Sequence, residues 1–260
     1  MTRFTEASSK ALAGHCVLVT GGSSGIGRAI ALAAAGAGAD VALTYRVNVE
    51  GARETERAIT AMGRRAASLQ FDATSDQSLR ALGPAARAAL GRIDVWVNNA
   101  GADILTGPGA SLTAPEKLDL LLGVDLRGTV LASWQAAEIL GAQETGGVII
   151  NMSWDHVLTG MAGLNPQMFA AVKGGVLAFS KSLARTVAPR VRVNVVAPGW
   201  VATSFGTNLD EDTRALVAET TPLKRWGTPG DIAGAVVFLA SPAAAFMTGH
   251  TLIVGGGIVM

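Results

Sequence analysis

Two short stretches of the sequence carry side chains that could take part in proton transfer. Ser153, Asp155 and His156 directly follow an apolar run, and Lys173 lies further along in a segment poor in charge. Histidine can donate a proton near neutral pH, and a partly desolvated carboxyl group can do so if its pKa is raised. We therefore predict that Asp155 or His156 acts as proton donor or electrostatic partner; Ser153 and Lys173 are the other candidate catalytic residues. The competing interpretations are a carboxylate that caps a turn and a solvated loop histidine.

A glycine-rich turn indicates a second kind of chemistry. Thr20-Gly-Gly-Ser-Ser-Gly-Ile-Gly27 stands between a short apolar run and an Ala-rich helical segment. Its glycines permit a tight turn, close approach of the backbone to a pyrophosphate, and close packing of helix on strand. The first N–H groups of the helix and its dipole then hold phosphate. An ordinary strand–helix turn is the alternative, but the position between strand and helix favours a dinucleotide site. The predicted contacts are Gly21, Ser23, Ser24, Gly25, Ile26 and Gly27.

Seven short apolar runs, rich in Val and Ile, alternate with longer helix-like segments. The runs lack strict polar–apolar alternation, which is typical of strands buried on both faces. The pattern predicts a single-domain, Rossmann-type α/β fold with one doubly wound, parallel, seven-stranded sheet. Ligands of such sheets bind beyond the carboxyl ends of the strands, where the glycine turn and residues 153–156 fall. The predicted strands are 16–19, 41–45, 67–71, 93–97, 148–152, 191–196 and 251–254, and the predicted helices are 26–35, 50–62, 75–90, 127–140, 170–187 and 229–239.

Length and composition fit one globular domain. The 260 residues include 21 basic and 20 acidic side chains, a net charge of +1 that argues against a nucleic-acid or anionic-membrane partner. We expect a flexible tail over residues 1–10, a domain over 11–260, no membrane span, no metal site and a cytoplasmic location. The single Cys16 cannot form an intrachain disulfide. The apolar, charge-poor composition predicts a homo-oligomer, either a dimer or a tetramer.

Several motifs together resemble the short-chain dehydrogenase/reductase family over about residues 12 to 257. They are Thr20-Gly-x-x-x-Gly25-x-Gly27, Asp72 after the third strand, Asn98-Asn99-Ala100-Gly101 after the fourth, Lys173, and Arg192-Val-Asn194-x-x-x-Pro198-Gly199 followed by Thr203. The run from Pro222 to Asp231 and the terminal Gly255-Gly256 fit as well. The resemblance implies a nicotinamide dinucleotide held, beyond the glycine turn, by Asp72, Ala73, Asn99, Ala100, Gly101, Lys173, Pro198, Gly199 and Thr203.

The end of the second strand bears on the choice of nucleotide. A site that prefers NAD needs a carboxylate there for the ribose hydroxyls, and this chain has Tyr45 followed by Arg46. A guanidinium suits a 2′-phosphate. We predict NADP(H), with a solvated surface role for Arg46 as the alternative.

The resemblance also shows a departure from the family at the catalytic positions. The family's tyrosine lies four residues before its lysine, and here that position is Phe169. The family's serine position falls on Trp154, one residue after Ser153, and Asp125 stands where many members have the Asn of a proton relay. The family's site usually contains four groups, which are a Tyr, a Lys, a Ser and an Asn. In this chain Lys173 alone is plainly retained.

Three interpretations of this departure stay open. Asp155 or His156 supplies the proton; or the acceptor is an iminium-like cation, held by a carboxylate such as Asp155, that needs no proton; or redox chemistry is absent. We predict an NADP(H)-dependent oxidoreductase that reduces a C=O or C=N group of a hydrophobic small molecule. The alternative is a non-redox enzyme or a non-catalytic nucleotide-binding protein. An apolar pocket wall, with residues 202–221 as a lid, is predicted from Trp154, Phe169, Trp200 and Phe205.

Overall fold

A parallel seven-stranded sheet forms the centre of the protein. The computed structural model describes residues 10–203 and 209–260. The strand order is β3-β2-β1-β4-β5-β6-β7, and every pair is parallel. The strands are β1 (Cys16–Val19), β2 (Asp40–Tyr45), β3 (Ala66–Gln70), β4 (Val95–Asn98), β5 (Gly147–Met152), β6 (Val191–Pro198) and β7 (Thr251–Val254). The predicted fold class is confirmed, and the strand bounds differ from prediction by at most two residues at either end.

Helices cover both faces of this sheet. They are α1 (Gly25–Gly36), α2 (Val49–Ala61), α3 (Asp76–Leu90), α4 (Ala114–Leu121), α5 (Thr129–Gly141), α6 (Leu164–Val187), α7 (Glu211–Thr220) and α8 (Pro229–Ala240), with a short helical turn at Gly107–Ala110. One core cluster contains Ile30 of α1 and Val236 of α8, and the other contains Leu82 of α3 and Leu140 of α5. The strands are apolar on both sides because each side faces one of these clusters. None of the helices described is long and apolar enough to cross a bilayer.

The structure corrects the helix prediction in two places. Helix α6 begins at Leu164, six residues before the predicted start. Pro166 lies in its first turn, where the missing N–H costs no hydrogen bond, so a proline that suggests a loop is compatible with helix. The second difference is that α4 and a π-helical turn, Leu122–Gly128, precede α5. The predicted helix over 127–140 therefore continues a longer helical segment.

The reversal of strand order between β1 and β4 places a crevice at the carboxyl ends of these strands. A buried amide network fixes this edge of the sheet. Asn98 donates to Asn151 Oδ1 at 2.8 Å and to Ser133 Oγ at 2.9 Å, and Asn151 donates to Ser180 Oγ at 2.9 Å. The network ties the ends of β4 and β5 to α5 and α6, and so determines where the loops that follow these strands begin.

Candidate active site

The turn between β1 and α1 forms a tight cradle. Gly21 and Gly25 have φ angles of +70° and +53°, the left-handed region in which glycine carries no steric penalty. A Cβ atom on Gly27 would lie 2.1 Å from the carbonyl oxygen of Gly21, so this position has no room for a side chain. Asn99 Nδ2 donates to the carbonyl oxygen of Thr20 at 2.9 Å. The turn is thereby held against the loop after β4.

The start of α1 is open to an anion. Ser24 is the N-cap residue, and its side chain makes no capping hydrogen bond. The N–H groups of the first helical turn need partners, and a helix N-terminus favours negative charge. The cradle therefore fits the pyrophosphate of a dinucleotide.

The adenosine side of the crevice lies at the ends of β2 and β3. Arg46 is exposed there. The N–H and hydroxyl groups of Thr74 hold the pKa of the Asp72 carboxyl below its usual range, and the nearby charge of Arg46 adds a smaller effect. Arg46 therefore lies at the surface near the Asp72 carboxylate, where a ribose phosphate could reach its guanidinium group.

Lys173 forms an ion pair with Asp125, the residue at the family's Asn position. Its Nζ lies 2.8 Å from Oδ2 of Asp125, which the π-helical turn carries, and 3.3 Å from the carbonyl oxygen of Met152. The other oxygen of Asp125 accepts from the N–H of Ala102 at 2.8 Å. Only 2% of the Asp125 side chain is exposed, compared with 11% of Lys173. The positive charge of the lysine is therefore neutralised from behind by a buried carboxylate.

Ser153 faces the helix that carries Lys173. Its side chain is buried, and its hydroxyl donates to the carbonyl oxygen of Lys173 at 2.8 Å. The residue lines the cavity described below, but its hydroxyl hydrogen is engaged with backbone.

Asp155 and His156 form a buried pair behind the cavity wall. Their side chains meet at 2.6 Å between Oδ1 and Nδ1, and the His156 ring stacks on Trp154 at a centroid distance of 5.0 Å. Burial raises the pKa of the Asp155 carboxyl, whose Oδ2 has no hydrogen-bond partner among the residues that the structure describes. A Cβ on Gly199 or Gly255 would lie 2.6 or 2.4 Å from that oxygen, so the carboxyl group is packed between two glycine segments.

A cavity of about 440 Å³ opens beside Lys173. Trp154 and Phe169 form part of its wall, with ring centroids 6.1 Å apart, and Trp200 contributes a further aromatic ring. Lys173 is the one ionisable side chain among the described residues of the lining, and neither Asp155 nor His156 belongs to that lining. The lining consists of Ile26, Asn99, Leu105, Met152, Ser153, Trp154, Met161, Asn165, Pro166, Phe169, Lys173, Pro198, Gly199, Trp200, Val201 and Thr203.

The structure thus brings six of the predicted cofactor residues to one cavity: Ile26, Asn99, Lys173, Pro198, Gly199 and Thr203. Leu105 and Asn165 were not predicted to line it, because each lies in a loop or helix start that carries no motif. Phe205, predicted to belong to the wall, lies outside the described residues. The roles assigned to Asp155, His156 and Ser153 stay predictions.

The chain is similar to known proteins along almost its whole length. A family model described as "Enoyl-(Acyl carrier protein) reductase" matches residues 21–259. A 3beta-hydroxysteroid dehydrogenase 1 of Eggerthella lenta is 36% identical over 96% of this chain and 95% of its own length. A short chain dehydrogenase of Burkholderia cenocepacia, solved in complex with NADP, is 33% identical, with a TM-score of 0.85 and coverage of 95% and 99%. A blue fluorescent protein from a metagenomic library, solved with NADPH, is 34% identical, with a TM-score of 0.85 and coverage of 96% and 100%.

Fold and sequence therefore agree on the class of this protein, a Rossmann-type oxidoreductase. The chain belongs to the short-chain dehydrogenase/reductase family, as its motifs predicted, and is an enzyme of the short-chain reductase type.

Proposed function

We propose that this enzyme uses NADP(H) to reduce a C=O or C=N group of an apolar small molecule without a phenol as proton donor. The observation that carries the proposal is the apolar cavity that places Phe169, rather than a hydroxyl group, beside Lys173. NADPH supplies the hydride when it is bound. The glycine cradle would hold its pyrophosphate, and Lys173 its nicotinamide ribose.

The cavity wall determines which substrates fit. Trp154, Phe169 and Trp200 give it an apolar, aromatic lining that excludes water and favours a ring-bearing substrate. Pro198 and Gly199 follow β6 at the same edge and would support the nicotinamide. Solved neighbours with bound NADP and NADPH support the choice of cofactor.

Loss of NADPH absorbance, measured with apolar ketones and cyclic imines, tests the proposal. NADPH binding is followed in the same sample by fluorescence. Enzyme-dependent oxidation of NADPH by a member of either class is the expected result. Bound NADPH that is not oxidised by either class would contradict the proposal and favour a nucleotide-binding protein without redox chemistry. This second candidate, a nucleotide-binding protein without redox chemistry, is supported by Ser153, whose hydroxyl group donates its hydrogen bond to the backbone.

The choice of NADP(H) over NAD(H) rests on Arg46, and its replacement tests that choice. We expect Arg46→Ala to weaken NADPH binding by roughly 10- to 100-fold, the effect of losing a charge-assisted hydrogen bond, and to leave NADH binding unchanged. Fluorescence titration of both nucleotides measures this. Arg87→Ala serves as control, because Arg87 is also exposed but lies in the last turn of α3, at the opposite end of the sheet. Equal losses for both nucleotides would contradict the assignment.

The placement of Asp155 and His156 favours an indirect role. Through Gly199 and Trp154 they support both sides of the cavity. We expect Asp155→Asn combined with His156→Gln to lower kcat by less than about tenfold and to leave the shape of its pH profile unchanged, because a positioned acid contributes about 10²–10⁴-fold. A loss of 100-fold or more, together with the disappearance of a limb of the pH profile, would instead identify one of them as proton donor.

An oligomeric partner is also part of the proposal. Trp134 on α5 is 55% exposed and Phe246 is fully exposed, and apolar groups of this size at the surface support an interface between copies of the chain.

A further inference from the structure

The charges around the cavity determine which acceptor it can hold. Lys173 is the ionisable group of the described lining, and Asp125 lies 2.8 Å behind it. Asp125 makes its second contact with the N–H of Ala102, so both of its oxygens already have partners, and Asp125 is not among the described residues of the lining. A ligand in the cavity therefore meets a lysine whose positive charge is compensated by a buried carboxylate.

The wall has features that suit a positive charge. Trp154, Phe169 and Trp200 present aromatic rings to one space, with Trp154 and Phe169 tilted by 58° at 6.1 Å. The faces of such rings attract cations, and quaternary ammonium groups are held in this way. A cation that reaches a free ring face would be attracted by it, and it would not be opposed by a bare lysine charge.

The same wall is poorly suited to an alkoxide. Phe169 has no proton to give, and the Ser153 hydroxyl is donated to the carbonyl oxygen of Lys173. Asn99, Asn165 and Thr203 also line the cavity. Amide and aliphatic hydroxyl groups form hydrogen bonds but do not release a proton near neutral pH. The Lys173 ammonium is the remaining proton donor of the described lining, and it is held by the Asp125 carboxylate and by the carbonyl oxygen of Met152. Reduction of a ketone, which must end in protonation of an oxygen, is therefore less favoured here than reduction of an acceptor that needs no proton.

We propose that the acceptor is an iminium cation of an apolar, ring-bearing amine, and that Asp125 sets this preference by compensating Lys173. The inference rests on the function proposed above and narrows its substrate class. Hydride adds to the iminium carbon and forms a C–H bond; the C=N π bond breaks and its electron pair moves to nitrogen. NADPH is oxidised to NADP⁺, the iminium is reduced to a neutral amine, and no proton is consumed.

Two single substitutions change the charge behind the cavity in opposite directions. Asp125→Asn leaves the lysine uncompensated, and Lys173→Met leaves a buried carboxyl group whose ionised form a bound cation would stabilise. If the distance between this unit charge and a bound cation is taken as about 7 Å and the effective dielectric constant as about 20, Coulomb's law gives a change in the cation's affinity of roughly 10- to 50-fold. We therefore expect Asp125→Asn to weaken and Lys173→Met to strengthen binding of a cation. A merely structural role would weaken binding in both.

The probes are a pair of ligands that differ only in charge. N,N-dimethyl-1,2,3,4-tetrahydroisoquinolinium is a permanent cation that cannot be reduced, and 2,2-dimethyl-1,2,3,4-tetrahydronaphthalene has carbon in place of its nitrogen. Their dissociation constants are measured by tryptophan fluorescence with the protein saturated with NADPH. The expected result is opposite shifts of tenfold or more for the cation in the two variants, with changes below threefold for the neutral ligand. The double variant Asp125→Asn/Lys173→Met is expected to restore the wild-type ratio of the dissociation constants of the two ligands.

The inference would be overturned if the dissociation constant of the cation changed in the same direction in both single variants. It would also be overturned if the dissociation constants of both ligands changed equally. Turnover separates this result from failure of the proposed function. N-methyl-3,4-dihydroisoquinolinium is compared with 1-tetralone, each corrected for the uncatalysed reaction with NADPH. Turnover of the ketone but not of the iminium would uphold the proposed function and overturn the inference. Opposite cation shifts without oxidation of NADPH by either compound would uphold cation recognition and overturn the proposed function.

Discussion

Replacing Phe169 with Tyr is expected to raise the reduction of 1-tetralone by about 10²–10⁴-fold, the contribution of one positioned general acid. Phe169 lies on α6, one helical turn before Lys173, and both side chains line the cavity. A hydroxyl on this ring would enter the cavity wall beside the lysine. The phenol would then protonate the alkoxide that forms when hydride reaches a carbonyl carbon.

The kcat/KM for 1-tetralone measures this gain, and two further variants make it specific. Phe179→Tyr is the matched control, because Phe179 is on the same helix but packs against Trp134 outside the described cavity lining, and it is expected to change nothing. Trp154→Ser added to Phe169→Tyr should raise the rate further by supplying a hydroxyl at the carbonyl. Because Asp125 compensates Lys173, the lysine stabilises phenolate less than a bare charge would. If Phe169→Tyr reduces the ketone no faster than wild type while NADPH binding is retained, the absence of a phenol is not what limits ketone reduction at this site.

Replacing Gly27 with Ala is expected to reduce NADPH affinity by more than about 100-fold, a loss of at least about 2.8 kcal/mol of binding free energy. The added methyl group would lie 2.1 Å from the carbonyl oxygen of Gly21 and 2.5 Å from Nδ2 of Asn99. Both contacts involve groups that hold the cradle, so the turn must open to admit it. The N–H groups at the start of α1 would then lose their alignment with the phosphates.

Fluorescence titration with NADPH measures the affinity, and circular dichroism checks that the variant is folded. Gly36→Ala is the control, since Gly36 lies in the same helix and, apart from its chain neighbours and the helix's own backbone, no atom of the described residues lies within 4 Å of its added Cβ. That variant should bind NADPH normally and be slightly more stable, by up to about 1 kcal/mol, because alanine is the better helix former. A folded Gly27→Ala protein that binds NADPH like wild type would place the dinucleotide elsewhere.

Much of the fold was predictable because its signals are local. Each strand is a short apolar run, and the glycine turn combines backbone conformation and helix start within eight residues. Their order along the chain determines a parallel sheet and the edge where the strand ends meet. The extra helical turns before α5 and at the start of α6 were missed because Gly123 and Pro166 usually interrupt helices, whereas here they occur in a π-helical turn and a first turn.

The site was less predictable because its contacts join distant parts of the chain. The ion pair of Lys173 with Asp125 spans 48 residues, and no spacing rule relates the two positions. The packing of Asp155 against Gly199 and Gly255 likewise depends on how the ends of β5, β6 and β7 align. The position of Asp155 and His156 after a strand was enough to predict that they lie near the site. That they are buried behind the cavity wall depends on packing between distant segments.

The central claim, reduction by an enzyme without the phenol, is tested most directly by oxidation of NADPH with N-methyl-3,4-dihydroisoquinolinium as acceptor. Wild-type protein is expected to oxidise NADPH in a 1:1 ratio to the tertiary amine formed. The rate should be proportional to enzyme concentration and strongly reduced in Gly27→Ala at an NADPH concentration that only saturates the wild type. NADPH that is bound, as its fluorescence shows, but is oxidised no faster than in the absence of protein by this iminium or by 1-tetralone would contradict the claim.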